Sequence, residues 1–277
     1  MQIVDSQLHL WGANSLDRPW PAGRERDAQR PYAVPKEALL LEMDLAGVSR
    51  AVLVPPSWEG DRNDLALEAA RSHPERFAVM GRFSLQQRPD AETVAKWKQQ
   101  QGMLGMRFTF HHEHYRRALT DGSSEWLWAA AQQHSIPLMM LMPGAMSHLE
   151  RLAREYPALR ITIDHSGLPF DHKAPQALQD LPSVVALAKY PNVAVKVSGL
   201  PALSVQAFPF RDVHEAAHRL FDAFGPRRTF WGTDLTRMSC TYRECIDLFT
   251  QSLWWLKGDD LEWVMGRGVS EWMGWKE

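Results

Sequence analysis

The chain has 277 residues, 45% hydrophobic and 23% charged, a balance that supports a full-sized globular core and excludes disordered and collagen-like chains. Lys and Arg number 31 against 33 Asp and Glu, so neither nucleic acid nor a membrane surface finds an electrostatic footprint and the expected partner is a small-molecule substrate. No apolar run approaches the ~20 residues of a spanning helix, the opening MQIVDSQ lacks the regions of a signal peptide, and two cysteines outside any C-x-x-C or zinc-ribbon spacing fit a reducing, cytoplasmic setting.

Short apolar or β-branched runs alternate with stretches of helical spacing. Ile3-Val4 leads into Asp5-Ser6-Gln7-Leu8-His9, and a polar loop follows from Asn14 to Pro35. Leu and Met at i, i+3 and i+4 predict a helix from Lys36 to Ala46, closed by Gly47. A strand Ala51 to Val54 stops at Pro55-Pro56; a helix Leu65 to Arg71 and a strand Phe77 to Gly81 come next. The alternation continues with a helix near Ala91 to Gln99, a strand Gly105 to Phe108, a helix Glu125 to Gln133, a strand Pro137 to Leu141, a helix Ser147 to Tyr156 and a strand Arg160 to Asp164. It ends with a helix near Val184 to Lys189, a strand Val193 to Val197, a helix Val213 to Phe224, a strand Thr229 to Gly232 and a helix Tyr242 to Leu256, with an extra segment to Trp275. Eight βα units predict an α/β chain forming one (β/α)8 TIM-type barrel domain over residues 1–277 with an extra C-terminal helical segment, because closure removes both sheet edges. The alternative is an open doubly wound sheet, against which no Gly-rich fingerprint follows the first strand.

In such a barrel, catalytic groups stand where strands end. Alternation places Asp5, Gln7 and His9 of the first strand on one inward face. The fourth strand ends in Arg107, the sixth in Asp164-His165, the seventh carries Lys196 and the eighth leads to Asp234. In order, VDSQLHLW (Val4 to Trp11), GMRF (Gly105 to Phe108), IDHSGLP (Ile163 to Pro169), VKVSGL (Val195 to Leu200) and WGTDL (Trp231 to Leu235) resemble the amidohydrolase-2 branch of the amidohydrolase superfamily. More narrowly, they resemble its lactonase group, which includes sugar lactonases and 2-pyrone-4,6-dicarboxylate lactonase.

The resemblance implies a hydrolase that cleaves a lactone or similar cyclic ester of a small polar or anionic substrate. Asp234 would activate the water, and His9 and His165 would hold the carbonyl; an ionised carboxylate accepts a proton and imidazole N–H groups stabilise an oxyanion. Arg107 and Lys196 would bind an anionic or polyhydroxylated end of the substrate, or else pair internally with Asp5 or Asp164. Gln7, Trp11, Trp58, His111, His112 and Arg237 complete the expected substrate contacts, although Gln7 and the tryptophans are equally suited to packing and hydrogen bonding within the barrel.

Two departures bear on this. The first histidine of the superfamily's H-x-H is Gln7 here, a poor zinc ligand, and MMLMP on the fifth strand offers no bridging group, so a dinuclear centre is not expected and no cofactor is required. If one divalent ion, zinc or manganese, is bound, His9, His165 and Asp234 would hold it, in a mononuclear hydrolase or decarboxylase. The second departure is WGTDLTRM, where the group commonly has Trp-Pro after the aspartate; Thr236 and Arg237 then face the rim, and the group's known substrates are not carried over. His111-His112-Glu113-His114 has no H-E-x-x-H spacing and reads as a loop facing solvent or substrate. A barrel that binds a ligand without turning it over is the alternative of another class. Of 12 tryptophans, Trp254, Trp255, Trp263, Trp272 and Trp275 crowd the C-terminal segment, where they would pack it against the barrel or against a second subunit in a homodimer.

Overall fold

Eight parallel strands follow one another in sequence order: β1 (Val4–Leu8), β2 (Arg50–Leu53), β3 (Phe77–Arg82), β4 (Met103–Thr109), β5 (Leu138–Leu141), β6 (Ile161–Ile163), β7 (Val193–Ser198) and β8 (Thr229–Gly232). This is a computed structural model, and it describes residues 1–85, 91–110 and 113–276. The helices are α1 (Lys36–Ala46), α2 (Asp64–Ser72), α3 (Ala91–Ala95), α4 (Glu113–Thr120), α5 (Glu125–Gln133), α6 (Met146–Glu155), α7 (Leu181–Val185), α8 (Leu200–Leu203), α9 (His214–Phe224), α10 (Tyr242–Asp247), α11 (Gly258–Glu262) and α12 (Gly268–Met273). Every neighbouring pair from β1 to β8 is parallel. With β8 lying back against β1, the strands form a nearly closed TIM-type (β/α)8 barrel, and the open-sheet alternative falls. Among the described residues no helix is long and apolar enough to cross a membrane.

The elements differ from expectation where local chemistry intervenes. α1 ends at Ala46 as its sequence predicts, with Gly47 at φ 80° accepting the left-handed turn that costs other residues about 1–2 kcal/mol. The helix expected near Val184 begins instead at Leu181, where Pro182 suits a first turn. Glu113 and His114, expected to lie in a loop with His111 and His112, begin the helix Glu113–Thr120. The helix expected from Tyr242 to Leu256 changes after Asp247 into a π-helical turn over Leu248–Ser252.

The barrel interior is filled by Val4, Val52, Val54, Ala78, Met80, Leu104, Met139, Ala194 and Phe230, mostly near the strand beginnings. The C-terminal segment packs beneath them, adding Val269, Met273 and Trp275 to the same cluster. Backbone contact is close enough that a Cβ on Gly266 would stand 2.5 Å from the Gln2 carbonyl oxygen. Trp275 lies under the Arg50 guanidinium at 3.9 Å, Trp263 takes Arg227 and Arg267 on its ring at 3.8 and 4.2 Å, and Trp255 stacks on His218. Four of the five C-terminal tryptophans are thus buried or half-buried against this chain, and Trp254 is exposed.

The β1–β8 seam is held largely by side chains. Asp5 Oδ1 accepts the backbone N–H groups of Gln7 and Thr233, each at 2.9 Å, and Oδ2 accepts the hydroxyls of Thr233 at 2.5 Å and Tyr242 at 2.8 Å. Ser6 donates to the Trp231 carbonyl at 2.6 Å, and the Asp234 N–H donates to the Gln7 carbonyl at 3.0 Å. β1 also slips in register: Asp5 pairs with Ala51 but Leu8 with Leu53, so three steps on β1 match two on β2. That bulge breaks the alternation expected for Asp5, Gln7 and His9. Gln7 and His9 meet at 3.2 Å, whereas Asp5 turns to the seam. A Cβ on Gly232 would stand 2.5 Å from Ser6 Oγ and 3.2 Å from Asp5 Oδ1. Gly232→Ala is therefore expected to lower stability by about 1–3 kcal/mol, measured by denaturant unfolding; an unchanged midpoint would mean the seam yields freely.

Candidate active site

At the strand ends the backbone turns abruptly. Asp234, two residues after β8, has φ 60°, and His165, two residues after β6, has φ 52°. The left-handed turn swings each side chain over the barrel mouth instead of along the next loop. Asp tolerates this region better than most residues because its short polar group bonds locally; His165 is held there by its neighbours.

His9 Nε2 lies 3.1 Å from Asp234 Oδ1, and His165 Nε2 lies 4.0 Å from Oδ2. His9 Nδ1 is 2.5 Å from the Val54 carbonyl; since a carbonyl only accepts, Nδ1 carries a hydrogen. Burial alone would raise the Asp234 carboxyl, but His9, His165 and Arg237 close around it hold it well below the ordinary aspartate range. His165 is pushed down to about 3, chiefly by burial, and is a neutral imidazole at neutral pH. Its Nδ1 meets the Ser198 hydroxyl at 3.0 Å and its ring packs edge-on against Phe170, centroids 4.8 Å apart.

Below this group lies a buried ionic floor. Asp164 Oδ1 forms an ion pair with Lys196 Nζ at 2.8 Å, and Oδ2 accepts from Arg107 Nε at 3.1 Å. Burial would raise the Asp164 carboxyl, yet the two cations hold it below its usual value. Lys196 also donates to Gln7 Oε1, and Arg107 donates to Thr109. Gln7 and Lys196, expected to touch substrate, do not line the cavity. The internal ion pair with Asp164 is the arrangement Lys196 and Arg107 adopt, and of the two only Arg107 also reaches the cavity.

The cavity above has a volume of about 860 Å³ and is lined by His9, His165, Asp234, Arg107, Trp58 and Arg237, among others. Trp11 is a further correction: it is buried behind Trp58, edge-on at 5.9 Å, with its N–H on the Tyr32 carbonyl. Trp20 flanks Trp58 from another side at 4.9 Å. His111 and His112 lie outside the described residues. Arg237 Nε reaches Asp234 Oδ2 at 3.1 Å, and its guanidinium lies 5.6 Å from the Phe170 ring. With its amide oxygen turned toward Arg237, Gln29 accepts from Nε at 3.0 Å and Nη2 at 3.2 Å.

Several lining or supporting residues escape sequence reasoning. Ser198 stands two positions after Lys196 on β7, and alternation alone could have placed it facing the sixth strand end. Phe170, Gln29, Arg24 and Arg116 come from loops or a helix whose path no periodicity encodes.

A metal ion fits these side chains poorly. Lys196 fixes the Gln7 oxygen, which turns the Gln7 amide nitrogen onto His9 Nε2 at 3.2 Å, the atom a metal would need. Among the described residues no group of three or more His, Cys, Asp or Glu is arranged to hold a metal.

A family model described as Amidohydrolase matches residues 4–275. An L-fucono-1,5-lactonase of Burkholderia multivorans is 24% identical over 261 residues, covering 88% of this chain and 86% of that protein. A 4-sulfomuconolactone hydrolase of Hydrogenophaga intermedia is 27% identical over 235 residues, covering 83% and 73%. Among solved structures, an amidohydrolase from Burkholderia multivorans with bound zinc has a TM-score of 0.81 at 21% identity over 99% of each chain. A probable 2-pyrone-4,6-dicarboxylic acid hydrolase from Acinetobacter baumannii with citric acid bound has a TM-score of 0.74 at 19% identity, covering 99% of this chain and 100% of that one. These two structures share the fold.

Lys196→Met would leave Asp164 with Arg107 as its only strong partner; removing one member of a buried pair costs about 3–5 kcal/mol, so a clear fall in urea midpoint is expected. His165 is expected to stay neutral through pH 5 in ring-proton NMR titration, and protonation near pH 6.5 would contradict its burial.

Proposed function

The chain belongs to the amidohydrolase family, and we propose that it hydrolyses a lactone or similar cyclic ester of a small polar or anionic compound. One observation carries this reading: a buried carboxylate flanked by two imidazoles stands at the strand ends of the barrel, at the base of a cavity of about 860 Å³. The lactonase names of two curated relatives support the same substrate chemistry.

In this reading Asp234 takes a proton from water as the water oxygen attacks the ester carbonyl. Ser198, donating to His165 Nδ1, leaves the Nε2 hydrogen aimed at the cavity, where it and Arg107 stabilise the developing oxyanion. Collapse of the tetrahedral intermediate breaks the ring C–O bond, and the proton held by Asp234 passes to the leaving oxygen. The products are one carboxylic acid and one hydroxyl on the same molecule. His9 Nε2 stands 3.1 Å from Asp234 Oδ1 and is faced by the Gln7 amide, so His9 packs beside the base, and His165 serves the carbonyl in place of the pair of histidines expected from sequence. The metal-dependent alternative loses ground because the Gln7 amide faces His9 Nε2.

Asp234→Asn keeps the shape and the left-handed turn but cannot accept the proton. Its turnover of a hydrolysable lactone, followed by proton release, is expected to fall by about 10²–10⁴-fold with little change in melting temperature. Chelator treatment is expected to leave the wild-type rate unchanged. Full activity of the folded variant would remove Asp234 as base, and loss on chelation with recovery on zinc would establish the metal reading.

A further inference from the structure

Asp234 lines the cavity, yet both of its carboxylate oxygens are shut off from solvent. Three side chains cover them. His9 and His165 are buried, with side-chain exposures of 6% and 3%, while Arg237 is 46% exposed. A water that is to give Asp234 its proton must reach one of those oxygens, and of the three covers only Arg237 can leave without disturbing the barrel wall. Its backbone is fixed, since the Arg237 N–H donates to the Asp234 carbonyl at 2.8 Å, so any opening is a side-chain movement.

A buried carboxylate gives up the guanidinium of an ion pair readily only when another anion takes that cation over, because neutral groups do not offset its charge. The cavity is suited to bring one. Arg24, Arg26, Arg107 and Arg116 line it with Arg237. Arg116 is anchored by the carbonyls of Phe110 at 2.8 Å and Pro143 at 2.7 Å, and among the described residues no carboxylate pairs with it.

We propose that Arg237 is a charge-operated cover: an anionic substituent on the substrate takes over its guanidinium, draws it from Asp234 Oδ2 and so admits the hydrolytic water. Substrates with a carboxylate or sulfonate beside the lactone are then favoured, and neutral lactones meet a closed base. The proposal rests on Asp234 being the base. It makes Arg237 a residue that reads substrate charge, with no part in bond breaking.

Citrate serves as a non-hydrolysable anionic probe, with its binding measured by calorimetry on the whole protein. Arg237→Gln is expected to weaken citrate binding by about 10- to 100-fold. Asp234→Asn is expected to strengthen it, because Arg237 is released, and that gain should vanish in the double variant. A gain that persists without Arg237 would be a general field effect and would overturn the proposal, as would citrate binding indifferent to Arg237→Gln. With 2-pyrone-4,6-dicarboxylate and L-fucono-1,5-lactone as charged and neutral substrates, Arg237→Gln should lower kcat/KM for the first and raise it for the second, with Arg237→Lys between. A parallel fall on both would reduce Arg237 to a structural role and overturn the proposal. If the citrate cycle behaves as expected but neither lactone is opened by any form, the cover stands and the lactone reading falls.

Discussion

The Asp5 carboxylate is the contact on which the active end of the barrel depends. Seven of the strand junctions are backbone ladders, but at the eighth Asp5 gathers four donors from β1, the residue after β8 and α10. Burial pushes this carboxyl up, and the hydrogen bonds work against that shift. Thr233 and Gln7, the two residues it grips through their backbone, immediately precede Asp234 and stand two before His9 in the chain. The Asp234 N–H then closes onto the Gln7 carbonyl. The 3.1 Å approach of His9 to Asp234 is thus a consequence of how β1 and β8 are joined, because no hydrogen bond between the two side chains could by itself align two strands from opposite ends of the sequence.

The ionic floor works on the site from below. Asp164 lies between Lys196 and Arg107, so the floor presents more positive than negative charge to His165. Burial first, and then those two cations, disfavour imidazolium there, outweighing the attraction of Asp234 and Asp164. A neutral imidazole is a hydrogen-bond donor that does not surrender its proton, which suits it to an oxyanion. The same lysine reaches Gln7 and through it sets the amide against His9 Nε2. One buried cation therefore influences both histidines.

Much of this was legible in the sequence, for a physical reason. Strands buried on both faces have near-continuous apolar runs, such as MMLM before Pro143 and ITI before Asp164, and these stand out between helical periods. α5 runs from Glu125 to Gln133 as its sequence predicts. The strand-end motifs marked His9, His165 and Asp234, which meet, because a barrel forces every strand end to one rim. The path of loops and the breaks in strict alternation were not legible. The bulge in β1 turned Asp5 out of the inner face, and nothing in VDSQL marks where the extra residue sits. Arg237 read as a rim residue, but its contact with Asp234 depends on the left-handed turn at Asp234, which apolar periodicity does not register.

The left-handed turns also separate what is rigid from what can change. Asp234, His165 and Ser166 all adopt positive φ, and Gly199, also positive, packs so closely on Phe170 that a Cβ would stand 2.9 Å from its ring. Backbone locked in this manner cannot shift to suit a new substrate without losing the contacts that hold it. The tryptophan wall and the buried floor are equally fixed, being packed on this chain. Adaptation to a ligand is left to the side chains that reach across the cavity from the rim, and Arg237 is both half-exposed and in contact with Asp234. A barrel so built holds its chemistry constant at the strand ends while the charge and shape of the compound it accepts are set by a few long side chains above them.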